Sequence, residues 1–157
     1  MKYWLMKSEP DVFSIDDLQQ RPGRIEPWEG VRNYQARNML RDEINKGDLA
    51  FFYHSSCKIP AIVGIVEVVK EGRPDPTAFI PKHKYYDPRS KPENPVWYLV
   101  DVKFKRKLKR VIALTELRDK KPLQEMKLLQ KANRLSVMPV TKKEWEFILS
   151  LEQTCAI

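Results

Sequence analysis

The apolar run at residues 61–69 constrains the fold more than any other part of this sequence. Its residues are almost all β-branched or small, and only Glu67 interrupts them. Side chains of this kind favour strands, and a run without polar alternation is typical of a strand that is buried in a sheet. We therefore expect a sheet with this strand deep inside it and helices on the outside.

Further strand patterns lie on both sides of this run. Their aromatic or β-branched composition, or their alternation of apolar and polar residues, predicts strands. The segment between residues 104 and 110 is expected to be a strongly basic turn that joins two of them. The additional predicted strands are residues 2–7, 49–54, 96–104, 110–114 and 135–140.

Two capping boxes mark helix starts. Ser14 is followed by Asp17, and Thr141 by Glu144, so that each hydroxyl can bind a backbone amide in the first helical turn. The proline-rich stretch at 72–95 predicts a long loop with one helical turn near Thr77. Helices are predicted at residues 15–20, from Asn33 to Ile44, from Pro122 to Ala132, and after Thr141.

Strands and helices thus alternate along the whole chain. No repeat, linker or low-complexity segment divides its 157 residues. This length is sufficient for one hydrophobic core without disulfides or metals. We expect a single α+β domain over residues 1–157, acting as a monomer.

The charge balance indicates a polyanionic partner. The chain has 29 Lys and Arg residues against 21 Asp and Glu, a net charge of +8 with a pI near 9.5. Such an excess raises the affinity for nucleic acid through phosphate contacts and counterion release. A merely soluble basic surface would have the same composition, so charge alone does not decide between the two.

Cysteine use and the first residues indicate the compartment. Cys57 and Cys155 do not make a disulfide framework, and the apolar run at 2–7 is too short for a signal peptide or a membrane span. We expect no membrane partner and a reducing location, which is the cytoplasm, or the nucleus in a eukaryote.

Four motifs in order resemble the EVE domain family, a branch of the PUA-like and YTH-like fold group. The resemblance extends over nearly the whole chain. It implies a PUA-like curled mixed β-sheet or β-barrel with flanking helices, no known enzymatic activity, and a pocket for 5-methylcytosine or a related modified base in DNA or RNA. The motifs are WLMKSEP at 4–10, WEGVRNYQARN at 28–38, FYHS at 52–55, and RLSV at 134–137 with Pro139.

Trp28 is the strongest candidate for the base-binding residue. It lies between Pro27 and Gly30, outside any apolar periodicity, so we expect its ring to be partly exposed. A flat indole stacks on a base with about 1 to 3 kcal/mol of free energy. The alternative is a tryptophan that covers the end of a barrel, and the resemblance to the EVE family favours the stacking role.

The remaining pocket candidates surround Trp28 in the matching motifs. A hydroxyl at the end of strand one could bind the edge of an extruded base. Asn33 could either cap its helix or contact a ligand, and strand alternation lets only one of Phe52 and Tyr53 face the pocket. The full predicted pocket is Lys7, Ser8, Trp28, Asn33, Tyr34, Arg37, Asn38, Tyr53, His54, Ser55, Arg134, Leu135 and Ser136.

Two basic segments are candidates for phosphate contact. One is the dense run around residues 103–110, and the other interleaves cations with aromatic residues at 82–86, as single-strand binders do. Both could instead be solvated faces. The predicted phosphate-binding residues are Lys82, Lys84, Lys105, Arg106, Lys107 and Lys109.

Catalysis is the alternative class of function. His54, Lys7 or Glu9 could act as acid or base, but the sequence places no orienting carboxylate beside His54 and no evident oxyanion hole near Lys7. His54 and Cys57 alone cannot fill a tetrahedral zinc shell. The five glycines form no cofactor-binding motif. We therefore predict binding without catalysis, and neither a cofactor nor a metal.

Overall fold

The computed structural model describes residues 1–131 and 133–154, and six strands within them form one mixed sheet. The order across the sheet is β2-β5-β4-β3-β1-β6. β1 and β3 pair in parallel, and the other neighbours are antiparallel. The strands are β1 (Tyr3–Ser8), β2 (Ile25–Pro27), β3 (Leu49–His54), β4 (Ala61–Pro74), β5 (Tyr98–Ala113) and β6 (Val137–Val140).

The sheet is curled because its two longest strands are irregular. The β4–β5 register shifts at several points between Ile62 and Arg73, and β3–β4 shifts once at Phe52/Tyr53. Each extra residue bends a strand and increases its twist. This bending brings β2, at one edge of the sheet, near the end of β1, and the two together border a cavity.

Short helices lie outside this sheet. Both predicted capping boxes are present, at Ser14–Asp17 and at Thr141–Glu144. The second helix passes directly into a π-helical turn, Met39–Glu43. The α-helices are α1 (Ile15–Gln20), α2 (Tyr34–Asn38), α3 (Leu114–Arg118) and α4 (Lys142–Leu151), and 3-10 turns occupy Pro22–Arg24, Pro76–Phe79, Lys121–Leu123 and Lys127–Leu129.

The two faces of the sheet bury separate cores. Alternation sends Trp4 and Phe52 to the first core, which α1 and α2 cover, and sends Leu5 and Phe51 to the second core, which α4 covers. The central strand β4 contributes to both cores. The predicted α+β class with a deeply buried central strand is therefore confirmed.

Two sequence predictions about local structure were wrong. No turn interrupts residues 104–110, because β5 continues through them against β4, with Lys107 beside Gly64. The basic residues there lie along a strand whose alternate side chains, Phe104 and Leu108, are buried. The helix predicted from Pro122 is two 3-10 turns, because Met126 has an extended backbone (φ −61°, ψ 133°). Ala132 and Cys155 lie outside the described residues.

Candidate functional site

A cavity of about 600 Å³ opens where β1 and β2 end. This volume lies within the range of small-ligand pockets, about 300 to 1,000 Å³. Seven parts of the chain border it. They are the end of β1 at Lys7, the turn at Phe13, Arg21 after α1, the segment from Glu26 to Arg32, Ser55 after β3, the loop at Tyr85, and the segment 134–136 before β6.

Trp28 lines this cavity from within the first core. Its backbone amide donates to the Val100 carbonyl at 2.8 Å, which extends the pairing of β2 with β5. The indole meets Phe52 at 5.4 Å and 88°, and Phe13 at 6.4 Å and 79°, both edge-to-face. Only 7% of Trp28 is exposed, so the prediction of a partly exposed ring was wrong, although the residue does lie outside any helix or strand.

The loop after Trp28 is held by a buried carboxylate. Asp75 is completely buried and accepts hydrogen bonds from the Gly30 amide at 2.9 Å and the Arg32 guanidinium at 3.1 Å. Thr77 donates to the same carboxylate through its amide and its hydroxyl. Burial alone would raise the pKa of Asp75, but these hydrogen bonds outweigh it and lower the pKa below its usual value.

Arg32 connects this loop to the next wall of the cavity. It donates to the Tyr85 carbonyl from Nε at 3.1 Å and from its second terminal nitrogen at 2.6 Å. Its guanidinium carbon lies 5.5 Å from the Tyr85 ring centroid, and Lys84 Nζ lies 4.9 Å from the same ring. The long loop between β4 and β5 is thus anchored beside the cavity, with the Lys84 cation among the lining residues.

A polar wall is formed where β1 meets β3 and β6. The Lys7 amide donates to the Ser136 carbonyl at 2.8 Å, and the Ser55 amide donates to the Ser8 carbonyl at 3.0 Å. The Ser8 hydroxyl donates to the Phe13 carbonyl at 2.5 Å, which leaves its oxygen free to accept. Burial lowers the pKa of Lys7. This wall presents the Lys7 ammonium group and the hydroxyl groups of Ser8, Ser55 and Ser136 to the polar edge of a ligand.

Seven of the predicted pocket residues line the cavity, as does one of the predicted phosphate-binding residues, Lys84. Whether they contact a base or a phosphate stays a prediction. The seven are Lys7, Ser8, Trp28, Ser55, Arg134, Leu135 and Ser136.

The predicted residues of α2 lie outside the cavity. Asn33 caps the helix, accepting the Ala36 amide at 2.9 Å. Arg37 donates to the Val96 carbonyl and to the Asn38 side chain. Tyr34 is 51% exposed and packs against Trp97 at 4.9 Å between ring centroids. None of these four residues lines the cavity, and Arg37 and Tyr34 instead contact Val96 and Trp97, so their contact with a base stays a prediction.

Tyr53 and His54 also lie outside it. Tyr53 is buried in the second core, on the opposite face of the sheet, so the member of the pair that packs against Trp28 is Phe52. His54 Nε2 accepts the Ile15 amide at 3.1 Å at the start of α1. Burial lowers the pKa of His54, which keeps the imidazole neutral as this hydrogen bond requires.

The basic residues of β5 are mostly paired within the protein. Arg106 makes two hydrogen bonds of 2.8 Å to the buried Glu152 carboxylate. Lys107 forms an ion pair with Asp16, and Lys109 Nζ lies 2.9 Å from Gln153 Oε1. Lys105 is exposed, as is Lys82 in the long loop. Phosphate contact by these residues stays a prediction.

Several residues that line the cavity were not among the predicted pocket residues. Glu26 lies two residues before Trp28 on an extended segment, so alternation would have placed it on the same side. Burial raises the pKa of Glu26, although Arg21 opposes this shift with an ion pair of 3.3 Å. Arg32 stands inside the quoted motif at 28–38. No local signal marks Phe13, whose position depends on the fold of the following helix.

Within 1–131 and 133–154, no group of three or more His, Cys, Asp and Glu side chains could hold a metal ion. In that same part of the chain no helix is both long and apolar enough to cross a membrane.

Known proteins resemble this chain along nearly its full length. The family model described as the EVE domain matches residues 2–151. Thymocyte nuclear protein 1 of the mouse is 48% identical over 169 residues, which cover 97% of this chain and 74% of the mouse protein. A crystal structure of a Pseudomonas syringae protein has a TM-score of 0.90 and 50% identity, covering 96% of this chain and 99% of that one.

A further solved structure includes a ligand. Human THYN1 protein in complex with DNA containing 5-methylcytosine has a TM-score of 0.95 and 46% identity, covering 99% of this chain and 100% of that chain. The similarities confirm the PUA-like α+β fold that the sequence motifs implied. This chain belongs to the EVE domain family.

Proposed function

We propose that this chain is a nucleic-acid-binding domain that takes a modified cytosine, 5-methylcytosine or a close relative, into the cavity lined by Trp28. The observation that carries the proposal is the match at TM-score 0.95 to a protein whose crystal structure contains 5-methylcytosine DNA. The domain spans the whole chain and acts as a monomer inside the cell, in the cytoplasm or, in a eukaryote, the nucleus.

The cavity has the features that an extruded base requires. An aromatic wall of Trp28 and Phe13 offers apolar contact, and Ser8 and Ser136 offer polar groups for a base edge. Lys84 and Arg134 lie at the lining and can meet the flanking phosphates. Lys105 and the other basic residues of β5 extend the positive surface along that strand, and Lys82 adds a cation on the loop before it. The net charge of +8 supports this arrangement.

We further propose that the base is bound without chemical change. The His54 nitrogen that would serve as a general base already accepts the Ile15 amide. Among the described residues, no carboxylate forms a hydrogen bond with the Lys7 side chain. The Ser8 hydroxyl proton is engaged by the Phe13 carbonyl. These contacts support binding and do not assemble a nucleophile, a base and an orienting group.

The test is a binding panel of matched DNA and RNA oligonucleotides with plain and modified cytosine and adenine at one position. We expect the tightest binding to a modified cytosine, and unchanged oligonucleotide masses after prolonged incubation. Equal affinity for every member of the panel would refute base recognition. Turnover that is abolished in a Lys7→Met variant would establish the enzymatic alternative instead.

A further inference from the structure

Arg21 and Glu26 place a hydrogen-bond donor beside an acceptor on the cavity lining. Arg21 Nε and Glu26 Oε1 are 3.3 Å apart, and both side chains line the cavity. The Arg21 guanidinium also rests over the Phe13 ring, 5.1 Å from its centroid. The pair is therefore held to the same aromatic wall that would receive the base.

Glu26 and Trp28 point to the same side of the chain. Glu26 pairs with Val102 in the β2–β5 ladder, and the Trp28 amide continues this ladder by donating to Val100. Residues two apart on an extended segment share a face. A base that lies against Trp28 therefore shares its wall of the cavity with the Glu26 carboxylate.

The Glu26 carboxylate has capacity for a ligand. Its side chain is 22% exposed, and within the described residues its one ion-pair partner is Arg21, which it meets through Oε1. The second oxygen, Oε2, remains available as an acceptor. The group is partly withdrawn from water, and this burial raises its pKa. A hydrogen bond to an ionised group in such surroundings is stronger than one at the open surface.

Resting on the proposed function, we propose that the Arg21–Glu26 pair admits bases with an exocyclic amine, so that 5-methylcytosine enters the cavity and thymine is rejected. Cytosine offers the N4 amine as a donor beside the N3 acceptor, which matches a carboxylate beside a guanidinium. Thymine has the same C5 methyl group but offers the O4 acceptor at the corresponding place. A contact with the methyl group cannot separate the two bases, whereas this pair can.

The experiment uses the full chain and DNA duplexes in which the test base lies opposite an abasic site, so that no base pair must be opened. The test bases are 5-methylcytosine, cytosine and thymine. Glu26→Gln is compared with wild type, since an amide can both donate and accept and so suits either base. Arg21→Met removes the donor at a more exposed position, and Glu93→Gln repeats the loss of one negative charge on an exposed loop.

We expect wild type and Glu93→Gln to bind 5-methylcytosine about 5- to 150-fold more tightly than thymine. Glu26→Gln and Arg21→Met should bring this ratio close to one, while the ratio of 5-methylcytosine to cytosine is kept. A wild-type protein that prefers 5-methylcytosine to cytosine but binds thymine equally well would overturn this inference alone. The inference would also be overturned if Glu26→Gln and Arg21→Met both kept the wild-type ratio of affinity for 5-methylcytosine over thymine. No preference for 5-methylcytosine over cytosine in the wild type would overturn the proposed function itself.

Discussion

Gly30 and Tyr85 approach so closely that no side chain fits between them. A β-carbon built on Gly30 would lie 2.4 Å from Tyr85 Cζ, and Gly30 has a φ of +83° that disfavours other residues. The glycine therefore allows the long loop between β4 and β5 to pack against the segment that carries Trp28. This contact sets the position of the Tyr85 ring, which forms one wall of the cavity.

Gly30→Ala should displace the Tyr85 ring and weaken binding of the modified oligonucleotide, with a loss of stability of about 1 to 3 kcal/mol from backbone strain. Gly47→Ala is a matched control. Gly47 has a φ of +95°, and nothing lies within 4 Å of an added β-carbon there. Thermal melts and binding titrations of both variants check this. Equal binding by the two variants would show that the position of the Tyr85 ring does not contribute to affinity.

Asp75→Asn should destabilise the protein by about 3 kcal/mol or more, because the amide cannot accept every hydrogen bond that the buried carboxylate accepts. The measurement is denaturant unfolding, with Asp11→Asn on the exposed surface as the control. If Asp75→Asn is as stable as wild type, Asp75 does not hold the Gly30–Arg32 segment in place.

The Asp75 carboxylate should also make the free energy of unfolding depend on pH in the acid range. The pKa of Asp75 is lowered in the folded protein, so its stabilising contribution is present above the unfolded pKa near 3.9 and is lost as the pH falls through the folded value. We expect the difference in unfolding free energy between wild type and Asp75→Asn to shrink below about pH 4. A difference that is constant from pH 7 to pH 3 would contradict this account.

Phosphate contacts should appear in the salt dependence of binding. Lys84→Ala and Lys105→Ala should each flatten the log–log slope by up to about 0.9 if the lysine contacts B-DNA. Lys142→Ala, at the start of α4 on the other face of the sheet, removes the same charge and should leave the slope unchanged. An unchanged slope for Lys105→Ala would show that Lys105 on β5 is solvated and does not contact phosphate. An unchanged slope for Lys84→Ala would show that Lys84 at the cavity does not contact phosphate.

Local sequence signals predicted most of the elements and fewer of the site residues. The capping hydroxyls of Ser14 and Thr141 and the β-branched run in β4 act within a few residues, so the sequence shows them directly. The uninterrupted β5 could not be seen in this way. Its basic residues resembled a turn, although Arg106 is held by Glu152, which lies far along the chain.

The cavity depends on contacts of the same long-range kind. Trp28 lies outside any apolar periodicity, yet Phe13 and Phe52 from distant segments bury it. Asn33 and Tyr34 belong to a matching motif, yet Asn33 caps α2 and Tyr34 packs against Trp97, and neither lines the cavity. A motif therefore identified the segments that surround the site, and only the packing of the sheet determined which side chains enter it.

The most direct test of the central claim compares Trp28→Leu with Trp145→Leu. Both replacements remove a buried indole and keep apolar bulk, but Trp145 packs on Phe51 in the second core, away from the cavity. Affinity is measured for duplexes that differ only by 5-methylcytosine or cytosine at one position. We expect Trp28→Leu to lose about 1 to 3 kcal/mol of binding to the methylated duplex, roughly 5- to 150-fold, and most of its preference over cytosine. Trp145→Leu should bind as wild type does at a temperature where both variants are folded. If the folded Trp28→Leu variant keeps full affinity and preference, the base does not enter this cavity.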